Sequence, residues 1–193
     1  MIAPEEFFNI KPTDFDLTSG RILISVPFFN DAFFNRSVVL LIDYDEVSCA
    51  GLVLNKASFL SIRKVVTDIK LDDRIHAGGP VMPDGVFCLH NFSSSKAATK
   101  LIPGIFVGYD EVLLSLMEHK AIPQLKYKFF VGYAGWSPGQ LESEIKKGMW
   151  VIGAATPELV FDTPPNKIWE TAVRNLGKEY LHWLKLPRTF GSN

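Results

Sequence analysis

The sharpest chemical pattern in the sequence is residues 135–139, which read G-W-S-P-G and match the G-x-S-x-G turn that exposes the serine of α/β-hydrolases. Asp162 and His182 follow in the order that such a Ser–Asp–His triad takes. The residue after the serine must supply a backbone N–H to the oxyanion hole, however, and Pro138 has none. The Ser137 hydroxyl also suits the N-cap of a following helix. The pattern therefore favours a helix cap, with a nucleophilic serine as the alternative.

The same junction has a further interpretation as an anion site, because a glycine-containing turn at a helix N-terminus presents N–H groups and the positive end of the helix dipole. Neither a P-loop nor a dinucleotide fingerprint is present, so no nucleotide site is predicted. No metal site is predicted either, because no two ligands among the histidines and cysteines have metal-binding spacing: His76, His90, His119, His182, Cys49 and Cys88. We expect no cofactor and two buried free thiols.

A second group of residues suits recognition of a small polar ligand. Asp31 and Arg36 stand five residues apart before an apolar run, either as an ion pair that clamps the loop or as an anion-binding guanidinium. The pair Gly78-Gly79 permits a tight turn or the close approach of a ligand to the main chain. His90 ends a strand and either faces a cleft or is a satisfied buried histidine. The predicted ligand site comprises Asp31, Arg36, Asn55, Gly78, Gly79, His90, Trp136 and Gln140.

Apolar runs bounded by Gly, Pro and Asp predict the elements that position these residues. Strands are expected at 21–26, 37–42, 50–54, 75–79, 86–89, 102–107, 128–134 and 150–152. Helices are expected at 61–69, after Asp110, after Ser137 and at 165–176. The helix after Ser137 carries the S-x-x-Q capping box, with Gly148 closing its end. Strand pairs alternate with helices without a regular βαβ order, which predicts an α+β fold with a mixed sheet.

Length and composition predict one globular domain, since 193 residues with 47% hydrophobic and 21% charged residues fall in the ordinary range. We expect an N-terminal arm at 1–19, the domain at 20–186 and a tail at 187–193. The net charge is −1 and the basic residues are scattered, which disfavours direct DNA binding. The start of the chain has no signal-peptide pattern, and the apolar runs are far shorter than the roughly 20 residues of a membrane span. We therefore expect a cytoplasmic protein without a membrane role.

Six motifs in order make the chain similar to a known family between about Gly20 and Gly177. They are Asp31 with Phe34 and Arg36-Ser37-Val38-Val39, Gly51-Leu52-Val53-Leu54-Asn55-Lys56, Gly78-Gly79-Pro80-Val81, Leu89-His90, Gly132-Tyr133-Ala134-Gly135-Trp136 with Gly139-Gln140-Leu141-Glu142, and Phe161-Asp162. The sequence resembles the AlgH/YqgE family of bacterial proteins. The resemblance implies an α+β fold with a small barrel-like or bifurcated sheet flanked by helices. It also implies a label of transcriptional regulation of alginate production, although no DNA-binding motif is present.

These observations favour a non-enzymatic binding or regulatory protein whose partner is a small polar ligand or another protein. The alternative is an enzyme, such as a small-molecule hydrolase, that acts on an anionic or acyl substrate. A DNA-binding regulator is the third class, and it finds the least support in the charge pattern.

Overall fold

The computed structural model describes residues 15–29, 31–66 and 69–187. Most of the predicted N-terminal arm and the tail beyond Pro187 lie outside these residues. The strands are β1 (Arg21–Ser25), β2 (Val38–Tyr44), β3 (Cys49–Val53), β4 (Ala57–Ser61), β5 (Arg74–Ala77), β6 (Val81–His90), β7 (Thr99–Ile102), β8 (Ile105–Val107), β9 (Tyr127–Trp136) and β10 (Trp150–Ala154). The α-helices are α1 (Glu111–Glu118), α2 (Gln140–Lys146) and α3 (Pro165–Leu176). Two 3₁₀ helices (Ile62–Lys64 and Lys178–Lys185) and a π-helical turn (Glu158–Asp162) complete the described elements.

The strands form one branched sheet in the order β10-β1-β2-β3-β9-β6-β8-β7, with β5 and β4 attached to β9 as a side branch. The pair β5–β9 is parallel, and the other pairs among the described residues are antiparallel. The sheet curls into a half-barrel with helices packed against it. The predicted α+β fold with a mixed, bifurcated and partly barrel-like sheet in a single domain is thus confirmed.

The branch point lies along one edge of β9, which pairs first with β5 and then with β3. Gly78 lies at the fork: its N–H donates to the Val131 carbonyl at 2.8 Å, and its own carbonyl accepts from Val53 N–H at 2.8 Å. A Cβ at Gly79 would lie 1.9 Å from the carbonyl carbon of Tyr133. The glycine pair therefore lets the chain between β5 and β6 cross directly over the backbone of β9.

Three apolar cores pack against the sheet, each beneath one α-helix. Alternate residues of β1 and β2 point to opposite faces, so Ile22 and Leu40 pack under α3 while Leu23 and Val39 pack with Leu141 of α2. The third core joins α1 to β5, β6 and β9. Burial on both faces is what the continuous apolar run 37–42 predicts for a central strand.

Three local predictions are wrong. Within 61–69, the residues that the structure describes form the end of β4 and the short 3₁₀ helix Ile62–Lys64 instead of an α-helix. The β-branched Ile62, Val65 and Val66 restrict helical rotamers in this region. The run 102–107 is divided by a turn at Gly104, where φ is +81°, into the last residue of β7 and the whole of β8. Helix α2 begins only at Gln140, behind Gly139 at φ +74°, so Ser137 is not its N-cap.

Half of the predicted capping box is nevertheless present, because the Gln140 side chain accepts a hydrogen bond from Ser137 N–H at 3.0 Å. The predicted end of this helix is confirmed. Gly148 has φ +69°, its N–H donates to the Ile145 carbonyl, and Met149 N–H donates to the Glu144 carbonyl. Helix α3 has the predicted bounds, with Trp169, Ala172 and Val173 buried.

Candidate functional site

A cleft of about 640 Å³ opens where four segments meet: the β1–β2 connection, the β3–β4 connection, the start of α3 and the C-terminal segment. We call it the Arg36–Lys56 cleft. Its lining consists of Ala32, Asn35, Arg36, Asn55, Lys56, Pro165, Asn166, Trp169, Glu170, Leu184, Leu186 and Pro187. The volume falls in the range of small-molecule sites, and the lining mixes charged, amide and apolar groups.

Arg36 joins the wall of this cleft to the C-terminal segment. Its Nη2 donates to the Leu186 carbonyl at 2.7 Å and to the Pro187 carbonyl at 3.0 Å. Its guanidinium lies over the Trp169 ring, with Cζ 4.7 Å from the centroid, and Trp169 is anchored in turn on the Ser25 carbonyl. Arg36 thus holds the C-terminal segment against α3 and also contributes a positive charge to the cleft.

Asn55 and Asp31 shape the loops that carry this wall. The Asn55 side chain accepts from Val38 N–H at 3.0 Å and donates to the Arg36 carbonyl at 2.8 Å, which ties the β3–β4 connection to the start of β2. The Asp31 carboxylate accepts from the N–H groups of Phe33 and Phe34, as expected for a turn-forming aspartate. Asn55 lines the cleft, whereas Asp31 stabilises the neighbouring turn.

Lys56 also lines the cleft, although the sequence did not single it out. Its Nζ donates to the Asn35 carbonyl at 3.2 Å. Within the described part of the chain, no carboxylate lies at ion-pair distance from it. The side chain is half-buried, and this burial lowers the pKa of Lys56, while the more distant charge of Asp31 opposes the shift. The cleft therefore contains a partly desolvated cation that is hydrogen-bonded to a neutral carbonyl.

Trp136 and Gln140, which were predicted to bind a ligand, bind a carboxylate of the protein itself. Glu144 accepts from Trp136 Nε1 at 3.0 Å, from Trp150 Nε1 at 2.8 Å and from Gln140 Nε2 at 2.9 Å. Three donors on one half-buried carboxylate fix α2 against β9 and β10. Sequence reasoning missed Glu144, although the spacing of Gln140 and Glu144 on one helical face was a usable signal.

A second cleft of about 430 Å³ lies against β2, β3, β6 and β9. Its lining includes Cys49, Phe87, Tyr133, Trp136 and Ser137. Burial, followed by the charges of Glu142, Asp43 and Glu144, raises the pKa of the Cys49 thiol to about 12. The thiol is therefore protonated at neutral pH, which does not suit a nucleophile.

The remaining predicted residues lie apart from both clefts. His90 is fully buried, stacks on Phe106 with centroids 5.8 Å apart, and accepts from Phe92 N–H through Nδ1. Gly78 and Gly79 meet the backbone of β9. The structure thus brings Arg36 and Asn55 into one cleft, with Asp31 beside it, and places Trp136 at the other. It does not gather all eight predicted residues in one place.

The three candidate residues of the hydrolase alternative lie in different settings in the structure. Ser137 is exposed just after β9. The Asp162 carboxylate forms an ion pair with Lys126 at 2.7 Å, and His182 Nδ1 lies 2.7 Å from the Glu179 carbonyl oxygen. These contacts with residues outside the triad do not support a Ser–Asp–His assembly.

Two features are absent from the residues that the structure describes. These residues contain no group of three or more His, Cys, Asp or Glu side chains placed to hold a metal ion. They also contain no helix of the length and apolarity needed to cross a membrane.

The branched half-barrel sheet, with a helix over each core and a charged cleft beside α3, defines a single-domain α+β protein of the half-barrel type. A family model described as AlgH-like matches residues 22–181, so the chain belongs to the AlgH-like family. The resemblance drawn from the sequence motifs is thereby confirmed.

Relatives and solved structures agree with this assignment. A UPF0301 protein of Chlorobaculum tepidum is 34% identical over 191 residues, covering 97% of this chain and 98% of the relative. A UPF0301 protein of Bacteroides thetaiotaomicron is 30% identical over 192 residues, covering 97% of each chain. The solution structure of the AlgH protein of Pseudomonas aeruginosa matches with a TM-score of 0.70 and 28% identity, over 88% of this chain and 94% of that one. A Corynebacterium diphtheriae protein, at TM-score 0.76 and 22% identity over 98% and 100% of the chains, shares the fold.

Proposed function

We propose that this protein is a non-enzymatic binding protein that takes a small anionic molecule in the Arg36–Lys56 cleft. The observation that carries the proposal is the environment of Lys56. A half-buried ammonium loses part of its hydration, and here it has one carbonyl acceptor and, among the described residues, no carboxylate at ion-pair distance. An anion in the cleft would restore the lost electrostatic stabilisation.

The other groups of the cleft support the same class of ligand. Arg36 adds a second positive charge to the wall, and the Asn166 side chain adds amide donors and an acceptor. Glu170 also lines the cleft, but Lys167 and Arg174 bind its carboxylate at 3.1 and 2.9 Å, so its charge is largely compensated. The resulting field favours a carboxylate or a phosphate.

Any regulatory role would, on this proposal, depend on ligand occupancy of the cleft and not on direct contact with DNA. The net charge of −1 supports this choice, because nucleic-acid binders gain most of their affinity from basic surfaces. We also propose that the protein works in the cytoplasm. Cys49 and Cys88 are both free thiols, which suits a reducing compartment.

Thermal unfolding in the presence of single anions tests the proposal. We expect inorganic phosphate, pyruvate or another small carboxylate or phosphate to stabilise the protein. A ligand at about 100 times its dissociation constant contributes about 2.7 kcal/mol, which is roughly 5–10 °C for a domain of this size. The variant Lys56→Met should lose most of the shift. Lys100→Met, which changes an exposed lysine on β7, should keep it.

A shift that is equal in Lys56→Met and in the unaltered protein would contradict the assignment of the cleft. No shift with any anion of the panel, in a protein that unfolds cooperatively, would contradict small-anion binding as a whole.

A further inference from the structure

The amine of Lys56 has a setting that other lysines of the described chain lack. Lys126 and Lys167 are paired with Asp162 and Glu170. Lys128 is also half-buried, but it lies on β9 and does not line either cleft. Lys56 combines partial burial, freedom from a carboxylate at ion-pair distance among the described residues, and a place in a cleft of about 640 Å³.

A lysine in this setting can be a nucleophile as well as a charge. Desolvation favours the neutral amine, and the burial of Lys56 acts in this direction. The contact of Nζ with the Asn35 carbonyl holds the amine in the wall of the cleft without neutralising it, as a carboxylate would. Arginine has no comparable chemistry, because its guanidinium remains protonated.

We propose that Lys56 Nζ forms a reversible imine with the carbonyl group of a small oxo acid in the Arg36–Lys56 cleft. The proposal rests on the proposed function, since it concerns the same cleft and adds the chemical class of the ligand. The guanidinium of Arg36, which lines the same cleft, favours a carboxylate next to the reacting carbonyl.

The step is balanced without any further reactant. The unprotonated Nζ attacks the carbonyl carbon and forms a C–N bond. The carbonyl oxygen then leaves as water with the two hydrogens of the amine, and a C=N bond remains. Addition of water reverses the sequence and releases the oxo acid. The protein thereby holds its ligand through one covalent bond and one charge contact, without net oxidation or reduction.

Reductive trapping tests the inference on the full-length protein. Pyruvate is added together with sodium cyanoborohydride, which reduces an imine to a stable secondary amine, and the product is mapped by mass spectrometry of peptides. We expect Lys56 to carry the adduct at least about tenfold more than any other lysine, given its placement in the cleft. Lys128, similarly buried but outside the cleft, is the internal control.

The variant Lys56→Arg separates this inference from the proposed function, because it keeps the charge and removes the nucleophile. We expect it to form no adduct in the cleft while inorganic phosphate still raises its unfolding temperature. Adducts spread over the exposed lysines, or stabilisation of the unaltered protein by pyruvate without an adduct on Lys56, would overturn the imine and leave anion binding standing. If no anion raises the unfolding temperature of either the unaltered protein or Lys56→Arg, both proposals are overturned together.

Discussion

His76 and His90 are buried histidines, and Nδ1 of His76 has no hydrogen-bond partner among the described residues. Burial lowers the pKa of both rings, to about 4 for His76, where the charge of Lys128 adds to the shift. The folded protein thus keeps these rings neutral, whereas the unfolded chain binds their protons near pH 6.5. Their contribution to stability is complete above about pH 6.5 and declines as the pH falls towards the folded pKa.

For His76 we predict a loss on the order of 3 kcal/mol in the free energy of unfolding between about pH 7 and about pH 4. Urea unfolding at both pH values measures it. The variant His76→Gln should show a smaller loss than the unaltered protein, because it removes the titrating ring. His119→Gln, which changes an exposed histidine after α1, is the matched control and should show the full loss. Equal losses in all three proteins would contradict the neutral, buried state of His76.

The residues of the candidate site were only partly predictable. The prediction of Arg36 rests on its spacing to Asp31 before a buried strand, and that of Asn55 on the motif 51–56 of the family resemblance. Both residues line the Arg36–Lys56 cleft. Lys56 and Glu144 were missed, because lysine and glutamate are mostly exposed and only the folded chain shows that these two are partly buried. Trp136 and Gln140 were predicted to bind a ligand, whereas in the structure both donate hydrogen bonds to Glu144 of the same chain.

At the scale of elements, the fork in the sheet requires the main chain between β5 and β6 to lie directly against the main chain of β9. Along one edge, β9 pairs first with β5 and then with β3. Gly78, Gly79 and Gly132 lie where the chains cross. A Cβ at Gly78 would lie 2.2 Å from the Gly132 carbonyl oxygen, and one at Gly79 would lie 2.1 Å from that of Tyr133. Main-chain atoms of a paired strand cannot move aside as the end of a side chain can.

We therefore predict that Gly79→Ala destabilises the protein by about 3 kcal/mol or more, because the added methyl group overlaps the backbone of β9. The denaturation midpoint in urea measures the effect. Gly139→Ala is the control, since nothing lies within 4 Å of its added Cβ and only the positive φ opposes it, at a cost of about 1 kcal/mol. A Gly79→Ala protein as stable as Gly139→Ala would contradict the described crossing.

Elements with a strong local signal were predictable, and those defined by distant contacts were not. Helix α3 has both a proline at its start and an apolar face, and its bounds agree with the prediction. Among the described strands, β4 pairs only with β5, and its Phe59 and Leu60 are exposed. The strand therefore has no buried face with alternating apolar residues, which is the pattern that predicts a strand, and it was missed. Pairing of β9 with three neighbours joins residues far apart in sequence and leaves no local pattern.

At the scale of the whole molecule, three separate cores hold one branched sheet, and the Arg36–Lys56 cleft lies at the margin of the core beneath α3. The loops of the cleft are fixed by Asn55 on one side and by Arg36 on the other. A cleft fixed in this way requires little ordering when a ligand enters, which favours binding. On the proposed function, this cleft, and not the second cleft beside Cys49 and Tyr133, receives a small anion.

Backbone amide NMR during a titration with inorganic phosphate tests that claim most directly. We predict saturable shifts at Asn35, Arg36, Lys56 and Asn166, with Cys49 and Tyr133 at the second cleft unchanged. The shifts at Asn35 and Asn166 should disappear in Lys56→Met and persist in Lys100→Met. Saturable shifts that centre on Cys49 and Tyr133, or a titration without saturable shifts, would contradict the account.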